Sequence, residues 1–105
     1  MRAGDLDQRV TLQRREEGED EAGQPYSGWV DVASYWAAVE PLRGREYLAA
    51  QAIATETTTR IRMRYVPGID SAMRVQHGAD TYGIDACIHV KSARQELQLM
   101  CKRVG

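Results

Sequence analysis

The chain has 105 residues, 43% of them hydrophobic and 28% charged, and carries a formal net charge of −1. This length suits one compact core, so a single domain over residues 1–105 is expected, and the near-neutral balance disfavours a dedicated nucleic-acid binder, which needs a clear excess of Lys and Arg. No apolar run approaches the roughly 20 residues of a membrane-spanning helix, and Met1-Arg2-Ala3-Gly4-Asp5 leads into charge instead of a signal-peptide apolar stretch, so neither secretion nor a membrane is expected.

The first element in chain order is Arg9-Val10-Thr11-Leu12-Gln13-Arg14, whose period-two alternation predicts a strand with Val10 and Leu12 on its buried face. Glu16 to Pro25 combines a run of like charge with Gly and Pro and is expected to form a mobile loop. Trp29 to Val39 is rich in β-branched and aromatic residues, with Val30 and Val32 in one phase and Tyr35, Ala37 and Val39 in the other. The phase change predicts a bulge near Ala33-Ser34. Pro41 ends that strand, and the Ala-rich stretch Arg45–Ala54 predicts a short helix with Tyr47, Leu48, Gln51 and Ala52 on neighbouring turns.

Thr57 to Tyr65 is the clearest strand pattern, with Ile61, Met63 and Tyr65 on one side and Arg60, Arg62 and Arg64 on the other. Val66-Pro67-Gly68-Ile69-Asp70 has turn chemistry, so Met73-Arg74-Val75 is expected to return as the second strand of a hairpin. A further hairpin joins Tyr82–Val90, with Ile84, Ala86, Ile88 and Val90 on one face, to Glu96–Val104, with Leu97, Leu99 and Cys101 on one face. Lys91–Gln95 is the turn between them. About six antiparallel strands with one short helix after the second must close on themselves to bury a single apolar face, which predicts a mostly β fold, a small antiparallel β-barrel.

No constellation for catalysis stands out. There is no Gly-x-Ser-x-Gly elbow, no phosphate-cradling glycine motif, and the Glu16-Glu17 pair lies where acid and base cannot be held in fixed geometry, so no enzyme and no nucleotide or other cofactor is expected. Cys87, His89, Cys101 and His77 lack the paired spacing of a structural zinc site, and no metal is expected. Pairing Val90 with Leu97 sets Cys101 opposite Ala86, on the other face from Cys87, which predicts two free thiols in a reducing compartment. Arg60, Arg62 and Arg64 form a positive ridge that is either a solvated barrel exterior or a contact surface, to which the acidic segment of a neighbouring copy offers a complement.

Taken together, several blocks resemble the head-tail joining proteins of long-tailed phages, also called head-completion or stopper proteins. They are the opening residues 1–14, the block Tyr35-Trp36-Ala37-Ala38-Val39-Glu40-Pro41-Leu42-Arg43-Gly44-Arg45-Glu46, the segment Arg60–Ile69, and Met73-Arg74-Val75. The resemblance implies a β-barrel that joins a ring of its own copies beneath the portal and adaptor proteins after packaging, closes the DNA channel and offers a platform to tail proteins. It also implies that the connection from Pro41 to Glu56 reaches toward the channel, which nominates Leu42, Arg43, Gly44, Arg45, Glu46, Tyr47 and Gln51 as the partner and channel loop. The same resemblance implies DNA contact only through the channel and a place at the head-tail interface of the virion, after assembly in the host cytoplasm. A barrel with long polar loops and arginine-lined faces is further expected to be a monomer when isolated. Two alternatives stand beside this reading: a barrel-type nucleic-acid module using the Arg60, Arg62, Arg64 ridge with Tyr65 or Tyr82 as stacking platforms, and a tail-completion protein at the neighbouring ring.

Overall fold

A computed structural model of the chain describes residues 6–53, 56–91 and 95–105. Six strands, β1 (Gln8–Glu19), β2 (Pro25–Pro41), β3 (Thr59–Arg64), β4 (Arg74–His77), β5 (Asp80–Val90) and β6 (Glu96–Arg103), and one helix, α1 (Gly44–Ile53), form it. The strands close into an antiparallel barrel in the order β1-β2-β3-β6-β5-β4. Closure follows from the pattern of apolar residues. Val10 and Leu12 on β1, Ala37 on β2, Ile61 and Met63 on β3, Val75 on β4, Ile84 on β5, and Leu97, Leu99 and Cys101 on β6 all point inward into one core. An open sheet would leave that face in water. Among the described residues no helix is long and apolar enough to cross a membrane.

The connectivity differs from the expected pair of hairpins at one place. β3 pairs with β2 and β6, and β4 pairs with β1 and β5, so Val66–Met73 is a crossover and not a hairpin turn. Val66 and Ile69 pack against the core, which is why this turn-like segment lies across the end of the barrel instead of folding β4 back on β3. The tight turn sits one step later. His77 pairs with Asp80 across Gly78-Ala79, and Gly78 alone has a positive φ, 58°, the arrangement a two-residue type II′ turn requires.

Two bulges set the phases. On β2, Ala33 faces Leu12 and Asp31 faces Gln13, so the extra residue is Val32, just before the expected Ala33-Ser34. On β5, Ile84 faces Cys101 and Ala86 faces Met100, leaving Asp85 as the extra residue. The β5 bulge corrects the sequence reading: Ile84 points in, but Ile88 is turned outward and 44% exposed, while Cys87 packs against the core. It also shifts the hairpin register, so that Val90 faces Glu96 and not Leu97. Cys87 and Cys101 are both free.

The acidic segment is likewise corrected. Glu16–Glu19 is not loop but the outer half of β1, paired residue for residue with Pro25–Gly28 of β2. Only residues 20–24 turn, tied by Asp20, whose Oδ1 accepts from the Ala22 and Gln24 amides at 3.0 and 2.8 Å. Beyond Gln13, β1 has no second neighbour among the described residues, because β4 reaches only Thr11–Gln13, so the β1–β2 hairpin leaves the barrel as a two-stranded arm. The overall dimensions of 51 × 29 × 25 Å reflect it. Cross-strand hydrogen bonding satisfies the backbone there, so the segment need not bury its side chains to be ordered.

Candidate functional site

The connection between β2 and β3 is built on the outside of the barrel. Pro41 pairs with Thr59 as the last rung, the Leu42 amide donates to the Thr58 carbonyl at 2.9 Å, and the chain then turns into α1. Gly44 makes this turn at φ 56°, a left-handed conformation that a residue with a side chain adopts only at a cost. The helix covers Gly44–Ile53, against an expectation of Arg45–Ala54, and Ala54 lies outside the described residues.

A ten-residue helix packed on a barrel would normally carry an apolar stripe at helical spacing, and α1 has little of one. Ala50 is buried and Gln51 half-buried, whereas Tyr47 is 40% and Leu48 69% exposed. The helix is therefore held largely by polar side chains. Gln51 Nε2 donates to the Thr57 carbonyl, and the Thr57 hydroxyl donates to Asp85 Oδ2 at 2.5 Å. Asp85 is the β5 bulge residue, so the irregularity aims a carboxylate at the foot of the connection. Lys102 Nζ lies 3.7 Å from Asp85 and 3.5 Å from Glu56.

Arg60 and Arg62, two members of the sequence-predicted ridge, complete this attachment. Arg62 grips Glu40 with two parallel bonds, Nε to Oε1 at 2.8 Å and Nη2 to Oε2 at 3.0 Å, and reaches Glu96 with Nη1 at 3.2 Å. Arg60 donates to Glu40 at 3.1 Å and pairs with Glu46 of α1 at 3.2 Å. The Arg62 guanidinium holds the Glu40 carboxyl below its ordinary value against the opposing effect of burial, and Glu40 in turn raises Arg62. Arg64, at the end of β3, is exposed. Two thirds of the ridge is thus neutralised by carboxylates of the same chain, a feature the strand pattern shows only from the arginine side.

Between α1 and the outer faces of β3, β5 and β6 lies an open groove of about 280 Å³ lined by Leu42, Ala49, Ala50, Ala86, Ile88 and Met100, with Glu46, Arg60 and Asp85 also at its walls. Sequence patterning misses this groove, because its floor exists only through the Asp85 bulge that turns Ala86 and Ile88 outward. Of the candidate loop residues, Leu42 is buried against the barrel, and Arg43, Gly44, Arg45, Glu46 and Tyr47 are exposed.

The remaining candidates fall elsewhere. Tyr82 is buried, 8% exposed, and offers no face for stacking. Tyr65, expected inside with Ile61 and Met63, lies past the end of β3 and stacks on His89 with ring centroids 3.7 Å apart. Among the described residues no group of three or more His, Cys, Asp or Glu is placed to hold a metal ion. Burial raises both thiols, Cys101 more strongly than Cys87. Two exposed tryptophans of β2 are each covered by an arginine, Trp29 by Arg74 at 4.4 Å and Trp36 by Arg9 at 5.3 Å.

A family described as phage head completion protein matches residues 1–104. The chain belongs to this family. No curated protein matches the sequence. Among solved structures, the solution structure of protein SF1141 from Shigella flexneri 2a is similar with a TM-score of 0.80 and 25% identity, covering 98% of this chain and 96% of that one. A chain of the virion of a native gene transfer agent particle shares the fold at a TM-score of 0.61 and 18% identity, covering 94% of this chain and 96% of that one. As a head completion protein the chain is a structural component of a phage virion, assembled with other virion proteins.

Proposed function

We propose that this chain is the stopper of a head-tail connector. It joins a ring of its own copies beneath the portal and adaptor proteins after packaging, closes the DNA channel and gives the tail proteins their platform. The whole chain acts as one domain, meets DNA only in the channel, and is assembled onto heads in the host cytoplasm. The observation that carries this reading, beyond family membership, is the attachment of the Pro41–Thr59 connection. It is attached outside a closed barrel by ion pairs, hydrogen bonds and the buried side chains of Leu42 and Ala50 beside an open groove, so it can be repositioned without opening the barrel core. Arg43, Arg45, Glu46, Tyr47 and Leu48 are among the exposed groups it presents, with Leu42 and Gln51 anchoring its ends. Arg64 extends the contact surface at the opposite end of β3.

The arginine ridge does not favour a nucleic-acid module, since Arg60 and Arg62 are matched by Glu40, Glu46 and Glu96 and one of the two tyrosine platforms is buried. Deletion of residues 43–52 tests the stopper reading. The deleted protein should fold and bind filled heads, yet those heads should lose their DNA. Heads that keep packaged DNA with the deletion variant would sink the proposal.

A further inference from the structure

We propose that the outward face at the base of the β1–β2 hairpin, built from tryptophan and arginine, is an interface that takes the acidic hairpin tip of a second copy. The contact needs no head or tail, so it goes beyond the stopper reading and stands or falls apart from it.

Side-chain contacts tie this face together. Arg9 lies over Trp36 at 5.3 Å, Gln13 donates to Asp31 at 2.7 Å, and Arg74 donates to Gln13 at 2.7 Å while its guanidinium lies over Trp29 at 4.4 Å. Both tryptophans of the chain therefore stand on one side of one hairpin, Trp36 55% and Trp29 36% exposed. Tryptophan and arginine are the residue types on which interface binding energy concentrates, and rings already pinned by a cation lose little freedom when a partner covers them.

The charge on this face is unbalanced in one sense and the charge at the tip in the other. Arg64 closes β3 one residue past the Ala37–Met63 rung, at the level of Trp36, and is exposed. Arg9, Arg64 and Arg74 form no ion pair among the described residues. Against these three cations the same stretch sets one carboxylate, Asp31, and that is held by Gln13. Residues 16–24 at the tip hold five carboxylates and no lysine or arginine. Arg15 matches Glu17 at 3.2 Å, whereas Glu19, Asp20 and Glu21 are exposed and form no ion pair among the described residues. A guanidinium that stacks by its flat face keeps its N–H edge for a carboxylate, so Arg9 over Trp36 is placed to receive one. A nucleic-acid strand fits the face less well, because the acidic tip repels phosphate and the guanidiniums already cover the indoles on which bases would stack.

The tip cannot serve the base of its own hairpin. Ten residues of continuous strand, roughly 33 Å, separate Glu19 from Arg9, and β1 is paired with β2 over its whole length. The complement of each surface is therefore on another copy, and a contact between unlike surfaces can repeat from copy to copy.

The test uses the full chain with Trp29→Phe throughout, so that Trp36 alone reports on the face. Two charge-reversed forms are made in it, E19K/E21K at the tip and R9E/R64E at the base; Asp20 stays because it ties the turn. All four reversed positions are exposed, and a thermal melt matching that of the parent checks that each form folds. With rising protein concentration at low salt, the parent should associate in sedimentation velocity while Trp36 emission moves to shorter wavelength, and added salt should reverse both. Each reversed form alone should associate at least about tenfold more weakly. Their equimolar mixture should recover association to within about threefold, because reversed tip then meets reversed base. A parent that stays monomeric up to millimolar concentration, association without a shift of Trp36, a reversed form that associates like the parent, or a mixture no better than either form alone would overturn the proposal. So would a Trp36 shift produced by duplex DNA and not by a second copy. None of these results bears on DNA retention by filled heads.

Discussion

The barrel body and the β1–β2 arm are made of the same strand, yet different forces hold them. Where β1 runs through the barrel, Val10 and Leu12 are fully buried and their neighbours face outward; past Gln13 the same strand has no buried side chain on either face. The body is stabilised by removing apolar surface from water, the arm by its own ladder of backbone hydrogen bonds, a tied turn and a few cross-strand contacts such as Gln13 to Asp31 at 2.7 Å. Stability should therefore be concentrated in the barrel and recognition in the parts that leave it, the arm and α1.

The sharpest way to break that comparison is in the core. Leu99 is fully buried between β3 and β5, and Leu99→Ala should lower unfolding stability by about 2–5 kcal/mol in urea denaturation. A loss below 1 kcal/mol would mean that the barrel is not where the stability resides. The next effect lies at the attachment of α1. Arg62→Ala removes the two hydrogen bonds to Glu40 and the contact to Glu96, and should cost about 1–3 kcal/mol, between the values for exposed and buried pairs.

The same network sets a pH dependence. Glu40 is held below its ordinary value in the fold, so its contribution is fully present above the unfolded-state value and disappears as pH falls through the lower folded one. Acid unfolding of Glu40→Gln should accordingly show a shallower loss of stability across that range than the unaltered chain, in denaturation series at successive pH values. The smallest effect belongs to the arm. Replacing Glu17, Glu19 and Glu21 together with Gln should change stability by no more than about 0.5 kcal/mol, because none is buried. A larger loss would make the arm part of the folding unit.

The body was legible in the sequence and the appendages only in part, for the same physical reason. β3 and β6 each bury one face, so Ile61, Met63, Leu97, Leu99 and Cys101 declare the strands and their inward side by alternation. The helix was legible from its alanines, bounded by Pro41 and the threonines of 57–59. The arm was not, because a two-sided exposed hairpin has no alternation, and a run such as Glu16-Glu17-Gly18-Glu19 has the composition of a loop. The Asp85 bulge was equally hidden. One extra residue leaves no compositional mark, yet it reverses Ala86 and Ile88, creates the groove under α1 and delivers a carboxylate to Thr57. The crossover after β3 is hidden as well, because turn chemistry at Pro67-Gly68 reports a local reversal, whereas the partner of β4 is decided by barrel closure.

The central claim, that this chain closes a packaged head, is tested most directly by co-sedimentation of the purified protein with DNA-filled, tail-less heads that carry portal and adaptor, with free DNA as the parallel sample. The account predicts saturable, stoichiometric binding to the filled heads, retention of their DNA, and no sedimentation with free DNA. Binding to free DNA alone, with heads that still leak, would contradict it.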